Sequence, residues 1–370
     1  MSFELVYTSA RRGLREGASG VCTVAATDGI PRALHEKLES LSGYSHTEAA
    51  TGAEPPVNHS HMTIRIQRNI YHVVSRIGDA GIDYTGRTNK IAHHLALSGA
   101  EVERFPHGPA ALFSDCGFWH ADWDGEPETL APNRTPSSYE EPVDDFGTWA
   151  DVFGDAGWAG VLGHAVKDGL KPVSIIVPNP DDTMMLLHEA LQLVSPRDRW
   201  KVCFSTYFSR LAPGTQCHWR FVLDGTTEAR KLRARSLGLL VDPRGSTGDP
   251  PDGNPFVEAA RDGEPKRVHS VARSTTRRDT TPIGRSSVGE NGGSRPMRSG
   301  RRRPQQSRHP ASRGVRRPSV RDLEYVEEFD DDEEEDERPR RRKPRKTKQI
   351  LIVIVLLMLA IAVLGFFAIQ

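Results

Sequence analysis

The pattern of hydrophobic and polar positions divides the chain into a structured part and an extended part. Up to about residue 242, short apolar or alternating runs are separated by turns that carry Gly and Pro, which is typical of strands and helices. From 243 to 321 this periodicity is lost, and Gly, Pro, Ser, Thr and Arg dominate. Such a segment cannot bury enough apolar surface to offset its chain entropy, so we expect a disordered linker there.

The N-terminal pattern predicts strand pairs and helices in alternation. FELVYTSA and SGVCTVAAT carry the β-branched and aromatic residues of two strands around a Gly-bearing loop. A leucine-faced helix is expected after Pro31 and should end at Gly43. MTIRIQRNIYHVVSRIGD then predicts a second strand pair.

A second helix is predicted from about Thr88 to Ser98, with Gly99 as its stop. The next periodic segment is a helix expected over about 155–167. PVSIIVPN follows it as a wholly apolar strand, which indicates cover on both faces.

The remaining pattern predicts one more helix and two strands. Asp181 and Asp182 are candidate N-caps for the helix. WKVCFSTYF and CHWRFVLDG are the predicted strands. This sequence of elements predicts an α+β (mixed α/β) globular part.

An unbroken apolar run occupies residues 350–369. As a helix it would be about 30 Å long, the thickness of the hydrocarbon core of a bilayer. We therefore predict a single C-terminal transmembrane helix over 349–369, which makes the chain tail-anchored.

A basic cluster directly before this run predicts the orientation of the chain. Basic residues stay on the cytoplasmic side of a membrane, and the N-terminus has no apolar signal core, so we expect the globular part in the cytoplasm. Four cysteines at wide spacing fit that reducing compartment. The juxtamembrane basic residues within 338–348 include Arg340, Arg341, Arg342, Lys343, Arg345, Lys346 and Lys348.

The formal net charge is +0, but the charges are segregated along the chain. Residues 1–260 are acidic, 261–321 basic, 322–337 strongly acidic and 338–348 basic. Blocks of like charge are usually solvated tails. The alternatives are that the basic linker binds nucleic acid or anionic lipid, or folds onto the acidic segment. Beside a membrane, each Lys or Arg contributes about 1 kcal/mol of attraction to anionic lipid.

The familiar catalytic and cofactor motifs are missing from the sequence. It contains no G-x-x-x-x-G-K-[ST] loop, no dinucleotide fingerprint and no G-x-S-x-G elbow. We therefore predict no cofactor, and nucleotide hydrolysis by a known route is not expected.

Two local arrangements offer weaker chemical signals. Zinc could be held by Cys116, His120 and either His59 or His61, but no C-x-x-C or H-E-x-x-H motif supports this, and we predict no metal. Cys116 beside Asp115, with His120 four residues on, could form a thiolate nucleophile. Such a pair is common by chance.

Adjacent histidines stand in the predicted helix over 88–98. Neighbouring side chains on a helix point about 100° apart, so His93 and His94 should not face one ligand. His94 lies beside Ile91 and Leu95 on the predicted buried face. This favours a core histidine that is hydrogen-bonded to backbone over a pocket residue.

The chain resembles a known family in its N-terminal string, FELVYTSARRGLREGASGVCTVAATDGIPRALHEKLESLSGYSH, and in GRTNKIAHHL further on. These motifs resemble the N-terminal domain, type two, of the bacterial GTPase-associated protein 1 family. The resemblance covers about 1–146, and 147–242 reads as an α/β continuation or second subdomain. The motif positions are Tyr7, Gly20, Gly43, Tyr44, His46, Asn89, His93 and His94.

This family is found beside GTPases in bacterial conflict gene clusters, and the resemblance implies an adaptor role with a GTPase partner but no known reaction. We therefore predict a cytoplasmic interaction module tethered to the cell inner membrane by one span, and we lean against an enzyme. A flexible linker of this length would reach about 50 to 60 Å.

Two other functions stay open. The Arg-rich linker could tether the chain to nucleic acid or anionic lipid. The chain could instead be an enzyme of unrecognised class. The residues of its candidate pocket are Tyr7, Tyr44, His46, Asn89, His93 and His94.

Overall fold

A ten-stranded mixed sheet runs through the part of the chain that the computed structural model describes, which is residues 1–45, 54–139, 145–235, 238–245, 248–265 and 268. The strands are β1 (Phe3–Ala10), β2 (Gly20–Thr27), β3 (Asn58–Ile66), β4 (Asn69–Ile82), β5 (Thr88–Ser98), β6 (Glu128–Leu130), β7 (Val173–Val177), β8 (Phe204–Ser205), β9 (Trp219–Leu223) and β10 (Leu239–Val241). Their order across the sheet is β10-β7-β9-β8-β3-β4-β5-β1-β2-β6.

Helices pack on both faces of this sheet. They are α1 (Arg32–Leu41), α2 (Gly99–Val102), α3 (Gly147–Phe153), α4 (Gly157–Lys167), α5 (Thr183–Gln192), α6 (Thr227–Ala234) and α7 (Pro255–Arg261). Short 3-10 turns lie at Ala110–Ser114, Pro180–Asp182 and Arg199–Lys201.

The two halves of the sheet are built differently. From β3 to β2 the strands are antiparallel, whereas β10, β7, β9 and β8 are parallel. The halves join at β3 and β8, where Ser60 pairs with Ser205 and His61 with Phe204 in an antiparallel register. These backbone pairs join parts of the chain that are distant in sequence, so both halves belong to one continuous sheet.

Different cores cover the two faces of the antiparallel half. On one face, α1 contributes Leu34 and Leu38 to a core with Phe3 and Leu5. On the other, Leu95 and its neighbours join a larger apolar core that continues into α3, α4 and α5. This second core therefore crosses the junction between the halves.

The predicted mixed α/β class is confirmed for the described residues. Strands β1 to β4, helix α1, helix α4 and the doubly covered strand β7 all lie where the apolar pattern placed them. Helix α5 also forms, and Asp182 occupies its N-cap position as predicted, but the Asp182 side chain makes no capping hydrogen bond. Asn179 instead accepts from the Asp181 amide in the preceding 3-10 turn.

The helix predicted over 88–98 is wrong, because these residues form strand β5. β5 lies in the interior of the sheet, and its residues from Ile91 to Leu97 are all buried. A strand that is covered on both faces loses the polar alternation that marks most strands. Ile91 and Leu95 therefore mimicked the spacing of a helix.

The strand predicted over WKVCFSTYF is shorter than expected. Only Phe204–Ser205 pairs as β8, and Arg199–Lys201 forms a 3-10 turn. The Cys203 amide donates to His218 Nδ1 at 2.9 Å, so a side chain takes the hydrogen bond that a ladder would use.

The predicted linker begins too early. Pro255–Arg261 forms helix α7, which packs on α4 with Phe256 and Val257 buried. These few apolar residues stand within a Pro- and Gly-rich segment, so the local pattern does not reveal the helix. The acidic segment 322–337, the basic segment 338–348 and the apolar run 349–369 lie outside the described residues. Within the described part, no helix combines the length and apolar character needed to cross a bilayer.

Candidate functional site

Three polar side chains form a row across one face of the sheet. Arg76 on β4 pairs directly with His59 on β3 and with His93 on β5. Residues directly opposite in an antiparallel pair project to the same face with Cβ atoms roughly 5 Å apart. Strand pairing thus places a guanidinium between two imidazoles on the face opposite α1.

His93 is fixed as a neutral imidazole by two contacts. Its Nδ1 accepts from the His120 amide at 3.2 Å, so the ring proton lies on Nε2 and is donated to Glu4 Oε1, also at 3.2 Å. Burial lowers the pKa of His93, and the opposing effect of Glu4 is smaller. Both ring nitrogens are used, which leaves no lone pair for general-base chemistry.

Glu4 connects His93 to Arg134, which lies after strand β6. Its side chain is buried, and Oε2 lies 3.4 Å from Arg134 Nε. The Glu4 amide also donates to Thr27 Oγ1 at 2.7 Å. The His93 ring stacks on Phe118 with centroids 5.2 Å apart. We assign this cluster a structural role, because its contacts join β1, β2 and β5 to the segments at His120 and Arg134.

His94 lies on the opposite face of β5. Its Nε2 donates to Ser42 Oγ at 2.8 Å, and Ser75 Oγ donates to its Nδ1 at 2.7 Å. Ser42 in turn donates to the Leu38 carbonyl, which fixes this assignment. Burial lowers the pKa of His94 to about 3. The prediction of a core histidine is confirmed, although its partners are serine hydroxyls and not backbone.

The other predicted pocket residues lie at separate places. Tyr7 packs beside the α1 core, and the Tyr44 hydroxyl donates to the Pro56 carbonyl at 2.7 Å. Asn89 stands at the start of β5, where its amide donates to Thr8 Oγ1 at 3.0 Å. His46 lies outside the described residues. Strand β5 separates His93 from His94, so the described members do not line one cavity.

A cavity of about 1100 Å³ lies above the polar row instead. His59 and Arg76 line it from the sheet, and the segment from Phe113 to Ala121 forms one wall. Helices α3 and α5 form the opposite wall with carboxylates and methionines. These wall residues include Asp145, Asp151, Met184, Met185, His188 and Glu189.

On the sheet side, the cavity is lined by one cationic side chain, Arg76, and one neutral side chain, His59. Arg76 Nη1 donates to the His120 carbonyl at 3.1 Å, and burial lowers the pKa of Arg76. Burial, followed by the charges of Arg76 and His188, lowers the pKa of His59 to about 3. The His59 ring is therefore neutral at pH 7 and offers one N–H and one lone pair.

The helix side is organised by Glu189. Its carboxylate accepts from the Thr148 amide at 3.1 Å and the Trp149 amide at 3.2 Å, at the beginning of α3. Unpaired amides at a helix N-terminus favour such a charge. Burial nevertheless raises the pKa of Glu189, because it outweighs these hydrogen bonds. This contact ties α5 to α3 and shapes the wall.

The cysteine and zinc arrangements that were considered as weaker possibilities are not assembled in the described residues. Cys116 is exposed and lines the cavity, whereas the His120 ring packs between His93 and Trp123 at 5.1 and 5.3 Å. His61 uses Nδ1 to donate to the Val202 carbonyl and Nε2 to accept from His72. Across the described residues, no group of three or more His, Cys, Asp or Glu is placed to hold a metal ion.

Comparison with known families assigns both halves of the sheet. Residues 1–136 match the GTPase-associated protein 1, N-terminal domain type 2, and residues 146–245 match the GTPase-associated protein 1, middle domain. The chain belongs to the GTPase-associated protein 1 family. The predicted resemblance is thereby confirmed. No curated protein and no solved structure gives a significant match to the chain.

The family domains coincide with the two halves of the sheet. Strands β1 to β6 lie in the N-terminal domain and β7 to β10 in the middle domain of this GTPase-associated protein 1 member. The cavity therefore lies between these domains, with its floor from one and its helix wall from the other. Sequence reasoning missed Arg76, although a lone charge inside the apolar run HVVSRIG was a usable signal.

Proposed function

We propose that this chain is a membrane-tethered cytoplasmic adaptor that works with a GTPase, in a bacterial system of the conflict type. The observation that carries this proposal is the presence of two consecutive domains of a GTPase-associated family in one chain. A GTPase partner is consistent with that family, and we infer that the paired domains provide its docking platform.

The shared sheet supports a platform of this kind. Pairing between β3 and β8 fixes the N-terminal domain against the middle domain, and one apolar core crosses the junction. A partner that touches both domains would therefore meet a preformed surface. Preformed surfaces bind with less loss of conformational freedom than surfaces that must order on contact.

Tethering is the second element of the proposal, and it is supported by the sequence. The apolar run 350–369 has the length of a bilayer span, and the basic cluster before it has the sign expected on a cytoplasmic surface. We infer one span in the cell inner membrane, with the family domains held above it by the remaining linker.

Deletion of residues 350–369 tests the tether. The full-length chain is expected in the membrane fraction and to resist extraction by carbonate, because its span lies in hydrocarbon. The deleted chain is expected in the supernatant. A matched control removes residues 285–304, an equal length of the predicted linker, and should stay with the membrane. Retention of the chain that lacks 350–369 would contradict the tether.

A further inference from the structure

We propose that the cavity between the N-terminal and middle domains binds a small aromatic anion, whose negative group is held by Arg76 and His59. Such a ligand site is independent of the adaptor function and of the tether.

Arg76 supplies the charge that calls for an anion. It is half-buried, and among the described residues no carboxylate comes within ion-pair distance of it. Within the described part of the chain, one of its five N–H groups is used, in a hydrogen bond to the His120 carbonyl. A half-buried guanidinium with one neutral partner keeps a planar pair of donors available, which is the arrangement that binds carboxylate or phosphate.

His59 adds a neutral donor beside this guanidinium. It stands opposite Arg76 in the β3–β4 register, and its backbone, not its ring, bonds to Thr206. Within the described part of the chain, the His59 ring makes no hydrogen bond. Its ring lines the cavity, so its N–H can reach the same group that Arg76 binds.

Aromatic rings form the wall next to these donors. The ring centroids of His59 and Phe113 lie 4.5 Å apart, and those of Phe113 and Trp119 lie 5.1 Å apart. Met184 lines the cavity from α5. Rings at these separations stack on or edge against further rings, and methionine packs favourably against aromatic groups. The body of the ligand is therefore apolar and ring-shaped.

The wall formed by α3 and α5 determines the orientation of the ligand in the cavity. Glu189 and Asp145 are acidic, and both already accept backbone amides at the beginning of α3, at Thr148 and Gly147. Their negative charge opposes an anion on that side. The negative group therefore lies at the sheet and the ring between the two walls.

Binding of three matched probes tests the site. Phenyl phosphate and phenylacetate carry the two candidate anions on one ring, and benzyl alcohol is the uncharged counterpart. The full chain in detergent is titrated with each probe, and binding is measured by calorimetry and by intrinsic tryptophan fluorescence, to which Trp119 contributes. At least one anion is expected to bind tenfold or more tightly than benzyl alcohol. The stronger anion distinguishes a phosphate ligand from a carboxylate ligand.

Arg76→Gln is expected to remove this preference, and Arg65→Gln is the control, because it removes an exposed guanidinium from neighbouring β3. If Arg76→Gln does not fold, Arg76→Lys keeps the charge without the planar fork and should weaken the anion several-fold. Equal binding of the charged and neutral probes would overturn the proposal. So would an unchanged preference in the Arg76 variants.

Discussion

At the scale of single residues, each buried histidine is held by the hydrogen-bond partners of its ring. His93 and His94 are neighbours in sequence, yet one contacts Glu4 and the other Ser42 and Ser75, because successive side chains of a strand point to opposite faces. The sequence predicted correctly that His94 is buried. It could not identify the partners, since each is supplied by a distant segment.

Burial of neutral histidines makes stability depend on pH. The pKa of His94 is about 3 in the folded chain and about 6.5 in an unfolded one, so the unfolded chain binds more protons between these values. The stability linked to His94 is therefore present above pH 6.5 and is lost as the pH falls toward 3. His61 titrates in the same direction.

Urea unfolding at pH 7.0, 6.0 and 5.0 measures this effect. Each such histidine is expected to lower the free energy of unfolding by about 1.4 kcal/mol per pH unit below 6.5. His94→Gln should reduce the slope by about that amount. An identical slope in His94→Gln would show that His94 is not buried as a neutral ring.

Among the elements, the pattern of apolar residues succeeded where one face of a strand or helix meets water. It placed α1, because its leucines face the sheet and its other side is polar. It failed for β5, because this strand of eleven residues carries no alternation and is long enough for a helix, whereas the equally buried β7 is short and is bounded by Pro172 and Pro178. It also failed for α7, whose few apolar residues gain their burial from α4 and not from their own neighbourhood.

Close packing between α4 and α7 gives a direct test at this scale. A Cβ at Gly160 would lie 2.5 Å from Val257 Cα and would also overlap the Phe256 carbonyl. Gly160→Ala is therefore expected to push α7 away and to destabilise the fold by about 1 to 3 kcal/mol. Chemical denaturation with tryptophan fluorescence measures the change.

Gly99→Ala is the matched control for this substitution, because nothing lies within 4 Å of the added Cβ and the position opens α2. It should be neutral or slightly stabilising. Equal stability of the Gly160 variant and the unchanged chain would mean that α7 does not pack on α4.

At the scale of the whole molecule, the decisive contacts join segments that are distant in sequence. Two family domains share one sheet through a junction of two residue pairs, and that junction joins residues near 60 to residues near 205. The same juxtaposition brings Arg76 on the sheet opposite α3 and α5, which creates the cavity. Sequence periodicity reports burial along one segment and carries no record of which segments meet. The cavity could therefore be found only from the fold.

Association with a GTPase is the property on which the proposed function depends. The full-length chain is purified by affinity from detergent-solubilised membranes of its native host, in parallel with a chain of residues 269–370 that lacks both family domains. Quantitative mass spectrometry then measures what co-purifies. We expect a protein with a G-x-x-x-x-G-K-[ST] loop to accompany the full-length chain in near-equal amount and to be absent from the tail alone. A full-length chain recovered without any GTPase, or a GTPase bound equally by the tail alone, would contradict the adaptor function.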